Sequence, residues 1–194
     1  AGGVVGAAGG VAYATGKLAE SYKEAARGAY DLDTHAKNTA MSVQDFSRLS
    51  GALQLVGADS ESAASSIEGI FKSLNEANSA GNAVVMSAMA QIGAQIEKNK
   101  DGSVNTLKTL ESIARIFPKI RPDQQKSFAN AMGLTPEMLT LLREGSKYAG
   151  FLAKADKVGL TVDPALNQQL TSFDVAVKEA SASWDGFKSK LERK

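Results

Sequence analysis

Residues suited to acid–base or metal chemistry are few in this 194-residue chain. His35 is the only histidine and there are no cysteines, which excludes paired-histidine metal sites, thiolate zinc sites and disulfides. No G-x-S-x-G nucleophile motif is present either. We therefore expect His35 on the polar side of its helix, without a catalytic role.

Phosphate-binding and calcium-binding motifs are also missing. Gly10 and the Gly16-Lys17 pair have five residues between them where a phosphate-binding loop has four, and Leu18 replaces the hydroxyl that would hold Mg²⁺. The Asp101-Gly102 turn lacks the alternating carboxylates and the closing glutamate of an EF-hand loop. We expect no cofactor and no metal ion.

Glu137 and Glu144 are the carboxylates that come closest to an acid–base pair. They lie seven residues apart and could share one face of a helix, as the paired acids of a peptidoglycan-cleaving domain would need to do. Glu137, however, also suits the first turn of a helix that begins at Thr135-Pro136. Neither acid has aromatic sugar-binding residues near it in the sequence. Cell-wall cleavage is therefore kept only as an alternative hypothesis.

Two basic clusters could contact phosphate groups. They consist of Arg115, Lys119, Arg121 and Lys126, and of Lys188, Lys190, Arg193 and Lys194. The net charge is only +1, so long-range steering towards DNA or acidic lipid should be weak. A solvated loop and a helix C-terminus explain the two clusters well, and we expect no specific nucleic-acid recognition.

The elements that position these side chains are all predicted to be helices. Hydrophobic residues make up 43% and charged residues 22% of the chain, which is typical of a soluble globular protein. No stretch shows convincing alternation with period two, and only residues 160–162 have a β-like composition. The predicted fold is all-α, with short capped helices flanked by longer N-terminal and C-terminal helices able to pair as a coiled coil.

Helix starts and stops divide the chain into four parts. Ser42 and Thr135 are predicted N-caps; Asp59 or Ser60, and Asn105 or Ser103, open two further helices. The parts are a Gly/Ala-rich apolar lead-in (1–16), a long amphipathic helix (17–40), a compact helical domain (41–160) and a C-terminal heptad helix (161–194).

The lead-in, residues 1–16, contains no charge and begins with Ala1 instead of Met. We interpret the chain as a segment of a longer protein. Gly2, Gly6 and Gly10 have the G-x-x-x-G spacing that lets helix backbones approach closely. Two interpretations stay open: a flexible or loosely helical lead-in, and the end of a helix that packs tightly or contacts a membrane transiently.

The C-terminal helix carries an apolar seam with alternating spacings of four and three residues. Its members are Leu166, Leu170, Phe173, Val177, Ala180, Trp184, Phe187 and Leu191. This heptad pattern favours left-handed supercoiling against another long helix. We predict a helix-packing interface here, formed either with helix 17–37 of the same chain or with a second copy in a homo-oligomer. A third interpretation is that the seam is exposed in this segment.

Three stretches occur in an order that is typical of one protein family. They are AYDLDTHAKNTAMSVQDFSRLSGALQLVGADSES (29–62), FPKIRPDQQKSFANAMGLTPEMLTLLREGS (117–146) and VGLTVDPALNQQLTSFDVAVKEASASWDGFKSKL (158–191). The chain resembles a tail tape measure protein of a long-tailed bacteriophage or prophage, over roughly residues 25–192. The segment around Glu97–Val104 has no counterpart, and the chain is far shorter than a whole tape measure protein.

The resemblance implies a structural role without catalysis. Tape measure proteins are long, mostly helical rods that occupy the tail lumen, set tail length during assembly and leave ahead of the genome at ejection. Expected partners are tail tube, tail tip or tail-assembly chaperone proteins. Expected locations are the virion tail lumen and, during assembly, the bacterial cytoplasm. The alternative is a bacterial helical interaction domain, such as a toxin or effector translocation segment.

Overall fold

The computed structural model is all-α, as the sequence predicts. It describes residues 20, 24–79 and 81–191, with side chains described as far as Ala182. The helices are α1 (24–38), α2 (Val43–Leu55), α3 (Ser60–Asn78), α4 (Ala83–Ile92), α5 (Thr106–Ile116), α6 (Pro122–Met132), α7 (Pro136–Arg143), α8 (Tyr148–Lys157) and α9 (Pro164–Leu191).

Two 3₁₀ turns, Phe117–Lys119 and Gly145–Lys147, follow α5 and α7. The sequence predicts that Pro118 stops α5, and the chain tightens into the first of these turns instead of leaving the helix abruptly. The only β-type pairing in the described part of the chain is one antiparallel bridge between Lys98 and Val104.

Predicted capping side chains begin two of the helices. Ser42 Oγ accepts a hydrogen bond from the backbone N–H of Asp45 at 3.0 Å. Thr135 Oγ1 accepts one from the N–H of Met138 at 3.3 Å. Each bond satisfies a donor that the first turn of a helix leaves unpaired, which stabilises a helix by about 1 kcal/mol.

Two helix starts that the sequence left open are decided by the structure. Asp59, not Ser60, caps α3, and Asn105, not Ser103, caps α5. The carboxylate of Asp59 accepts the N–H of Ser62 at 2.7 Å. This backbone hydrogen bond favours the charged form and holds the pKa of Asp59 below its ordinary value.

Glycines end two helices in the left-handed conformation. Gly93 follows α4 with φ 73°, and Gly133 follows α6 with φ 67°. Other residues adopt this backbone conformation only at a steric cost. Both stops are predicted from the sequence, and both hold the chain at a tight turn.

Contacts divide the chain into two units. Thr34–Asp163 contains the short helices, and the other unit joins the residues up to Asp33 with those from Pro164 onward. In the unit Thr34–Asp163, α2 packs on α3 and α8, and α5 packs on α7. Fully buried aliphatic side chains from these helices form its core: Leu49, Leu53, Ile67, Ile70, Leu74, Leu110, Ile113, Met138, Leu141 and Leu142.

The close approach of α2 to the end of the unit depends on Gly51. A Cβ atom at this position would lie 2.8 Å from Cβ of Leu160 and 3.0 Å from Cβ of Ala155. One turn earlier, Ser47 Oγ accepts the backbone N–H of Val162 at 2.9 Å. Residues 160–162, the only stretch with a β-like composition, are therefore held along α2.

Candidate interaction surface

The residues considered for acid–base chemistry lie apart from one another, on α1 and at the two ends of α7. His35 Nδ1 lies 2.6 Å from Glu68 Oε1, and the imidazole stacks on the ring of Phe46 at a centroid distance of 5.8 Å. Glu137 lies in the first turn of α7 and Glu144 follows its last turn. Within the described residues, no group of three or more histidine and acidic side chains could hold a metal ion.

The first basic cluster is partly neutralised by its neighbours. Arg115 pairs with Glu111 at 2.5 Å, and Arg121 pairs with Asp123 at 2.8 Å. Both arginines are more than two-thirds exposed, so these pairs contribute little to stability. The second cluster, within residues 188–194, lies outside the described side chains.

The polar loop before α5 satisfies its own hydrogen bonds. Asp101 Oδ1 accepts from the N–H and the hydroxyl of Ser103, at 3.0 and 2.6 Å. The hydroxyl bond, followed by the backbone bond, lowers the pKa of Asp101. Asn99 Oδ1 accepts the side-chain amide of Asn105 at 2.7 Å. These hydrogen bonds stabilise the turn itself.

The backbone of α9 is helical over the whole predicted apolar seam. Leu166 is 53% exposed, Phe173 is 36% exposed and Ala180 is exposed, whereas Leu170 and Val177 are half-buried. The side chains of Trp184, Phe187 and Leu191 lie outside the described part. The exposed positions alternate with half-buried ones, so only one edge of the seam is covered in the described part of α9.

Sequence reasoning missed a polar stripe on α9. Asn167 is 2% exposed, Asp174 is 7% exposed, and Thr171 between them is half-buried. Among the described residues, neither Asn167 Oδ1 nor Thr171 Oγ1 has a hydrogen-bond partner. Asn167 and Asp174 occupy the same heptad position. This spacing is visible in the sequence, but the apolar seam beside it is the stronger pattern.

A cation bridges α9 and α1 within their unit. Lys178 Nζ pairs with Asp174 Oδ2 at 2.5 Å and lies 3.9 Å from the centroid of the Tyr30 ring. Beside it is a groove of about 340 Å³, lined by Ala26, Arg27, Asp31, Phe173, Asp174, Val177 and Lys178. Two seam residues thus face α1 across an open groove, while coiled-coil pairing of the two helices stays a prediction.

None of the described helices combines the length and the apolar character needed to cross a membrane. The predicted lead-in, residues 1–16, lies outside the described part. We compared the chain with protein-family models, with curated proteins and with solved structures, and none of the three comparisons found a match.

Proposed function

We propose that this chain is a non-enzymatic structural segment of a phage tail tape measure protein. In this role it takes part in tail-length determination, tail assembly and passage of the genome into the host. The observation that carries the proposal is the order of the three family-like stretches, 29–62, 117–146 and 158–191. The helical architecture of the described residues supports the same role.

The described helices suit docking better than chemistry. Side-chain caps begin α2 and α7, the apolar stripes of these two helices are buried, and His35 contacts Glu68 and Phe46. The proposed partners are tail tube, tail tip or tail-assembly chaperone proteins. The proposed locations are the tail lumen of the virion and, during assembly, the bacterial cytoplasm.

The length of α9 gives the proposal a measurable consequence. This helix has 28 residues, and at a rise of 1.5 Å per residue it spans about 42 Å. The unit Thr34–Asp163 packs its short helices on one another, so it adds less length per residue than a single continuous helix does. A segment that contributes to a molecular ruler should act mainly through α9.

The test is made in phage particles. Mass spectrometry of purified virions, or of particles from an induced prophage, is expected to detect peptides of this chain. An in-frame deletion of residues 164–191 should shorten the tail by about 42 Å in electron micrographs, whereas Leu166→Ala should leave tail length unchanged. Absence of the polypeptide from virions, or normal tails after the deletion, overturns the proposal.

A further inference from the structure

The unit Thr34–Asp163 ends in a segment without a fully buried side chain. We call residues 158–163, which join α8 to α9, the strap. Val158 is 54% exposed, and Leu160, Thr161 and Val162 are half-buried. The core helices of the same unit contribute many fully buried aliphatic side chains. A segment with so little buried apolar surface opens at a lower free energy than a core does.

Polar bonds attach the strap to α2. Val162 donates its backbone N–H to Ser47 Oγ at 2.9 Å. Thr161 Oγ1 donates to Asp156 Oδ1, and Arg48 Nε of α2 donates to the same oxygen at 2.9 Å. The side chains of Arg48 and Asp156 are 26% and 39% exposed. Water therefore competes for the bonds of Asp156, and each contributes modestly to stability.

An apolar contact lies beside these bonds. Gly51 has no side chain, and a Cβ atom there would lie 2.8 Å from Cβ of Leu160. Leu160 therefore packs directly on the backbone of α2. Ser47 and Gly51 are four residues apart, so they lie on the same face of the helix. One face of α2 thus holds the strap, through the recess at Gly51 and the bond from Ser47.

The start of the unit lies on the same stretch of α2. His35 stacks on Phe46 at a centroid distance of 5.8 Å, and Phe46 is the residue before Ser47. The chain therefore enters the unit and leaves it beside consecutive residues of α2. His35 also contacts Glu68 of α3. Release of the strap would leave these contacts in place, because the bonds of His35 and of the strap share no side chain.

We propose that the strap is a releasable latch, which detaches from α2 as one piece while the core of the unit stays folded. Detachment breaks the bond of Val162 to Ser47 and withdraws Leu160 from the recess at Gly51. A free segment of this length spans up to about 20 Å, so an open latch adds slack between α8 and α9. The latch thereby sets how firmly α9 is tied to the unit that precedes it. This inference does not depend on the proposed function.

Hydrogen exchange of the full chain tests the proposal, measured residue by residue by NMR at urea concentrations below the unfolding transition. The Val162 amide should exchange at least about 100-fold faster than core amides such as that of Ile70. Its rate should hardly change with urea, because opening of the strap exposes little surface. A Val162 amide that exchanges as slowly as the core, with the same urea dependence, overturns the proposal.

Asp156→Ala tests whether the strap detaches as one piece. This variant keeps the bond between Val162 and Ser47, so fraying residue by residue would leave the exchange rate of the Val162 amide unchanged. A latch predicts a rate about three- to tenfold higher, because loss of one attachment favours opening of the whole strap. Asp123→Ala is the matched control: Asp123 also pairs with an arginine at the surface, but it lies in the first turn of α6 and should not affect Val162. An unchanged Val162 rate in Asp156→Ala contradicts the latch.

A disulfide lock gives a second readout, because the chain has no cysteines. Gly51→Cys combined with Leu160→Cys places two thiols across the recess. The separation of 2.8 Å there is shorter than the Cβ–Cβ separation of about 3.8 Å in a disulfide, and a small shift of the half-buried strap provides the difference. Oxidation should slow exchange of the Val162 amide at least about tenfold, and reduction should restore the faster rate.

Equal Val162 exchange rates in the oxidised and reduced forms overturn the one-piece latch. Circular dichroism confirms that each variant is folded. If the double cysteine variant fails to fold, the comparison of Asp156→Ala with Asp123→Ala decides alone.

Discussion

The side-chain oxygens of Thr135 and Ser66 lie 3.0 Å apart, so the residue that begins α7 is also bonded to α3. Thr135 Oγ1 accepts the N–H of Met138 at the same time. A local helix-start signal thus becomes a tertiary contact between segments that are 69 residues apart.

Thr135→Ala should lower the free energy of unfolding by about 1 to 2 kcal/mol, because it removes both the cap and the bond to Ser66. Urea denaturation measures the change. Thr135→Ser keeps the hydroxyl and should retain most of the stability. If Thr135→Ala matches wild type, α7 does not depend on this cap.

Gly51→Ala should destabilise the protein although alanine favours helices. The new Cβ would lie 2.8 Å from Cβ of Leu160, and overpacking of this kind costs about 1 to 3 kcal/mol. Gly69→Ala is the control within α3: no atom lies within 4 Å of a Cβ there, so it should stabilise by about 0.5 to 1 kcal/mol. Thermal unfolding of both variants tests the difference in sign, and a stabilised Gly51→Ala contradicts the close packing.

Features that depend on residues close together in the sequence could be predicted. The cap at Thr135 and the apolar stripe of Met138, Leu141 and Leu142 follow from spacing within one helix, because helix geometry places residues three and four apart on one face. The structure confirms these features. The all-α fold was predictable because the chain repeats such signals from end to end.

Features that depend on distant residues were not predictable. Nothing near Gly51 in the sequence indicates that Leu160 packs on it, because this contact follows from the path of the whole unit. The buried stripe of Asn167 and Asp174 runs against the usual preference for apolar burial. Hydrophobic periodicity identified the seam of α9 but could not show which edge of it stays exposed.

Acid should remove the contribution of Asp156 to stability. Thr161 Oγ1 donates to Asp156 Oδ1 at 2.5 Å and Arg48 Nε donates to it at 2.9 Å. The Thr161 bond, followed by that of Arg48, holds the pKa of Asp156 below its ordinary value of 3.8. The resulting stabilisation is therefore fully present above pH 3.8 and is lost as the pH falls through the lowered pKa.

The measurement compares the free energy of unfolding of wild type and Asp156→Asn at a series of pH values. The difference should stay constant at neutral pH and shrink below pH 3.8. Thr161→Val removes the bond that lowers the pKa of Asp156 most, so the acid-dependent loss of stability should be smaller in this variant and should be complete at a higher pH. The effect should be modest and weaken in salt, because Asp156 is 39% exposed. A constant difference down to pH 2 contradicts the assignment.

A core substitution in α7 and a seam substitution in α9 should separate effects on folding from effects on association. Leu142→Ala empties a fully buried core position and should cost about 2 to 5 kcal/mol. Leu166, at 53% exposure, has less area to lose, and Leu166→Ala should cost under about 1 kcal/mol. Thermal unfolding at low protein concentration measures both.

If the seam forms a homo-oligomeric coil, Leu166→Ala should also reduce the rise of the melting temperature with protein concentration, because association stabilises the folded chain by mass action. Leu142→Ala should lower the melting temperature equally at every concentration. A large, concentration-independent loss in Leu166→Ala would mean that this side chain is buried within the single chain, contrary to its position in the structure.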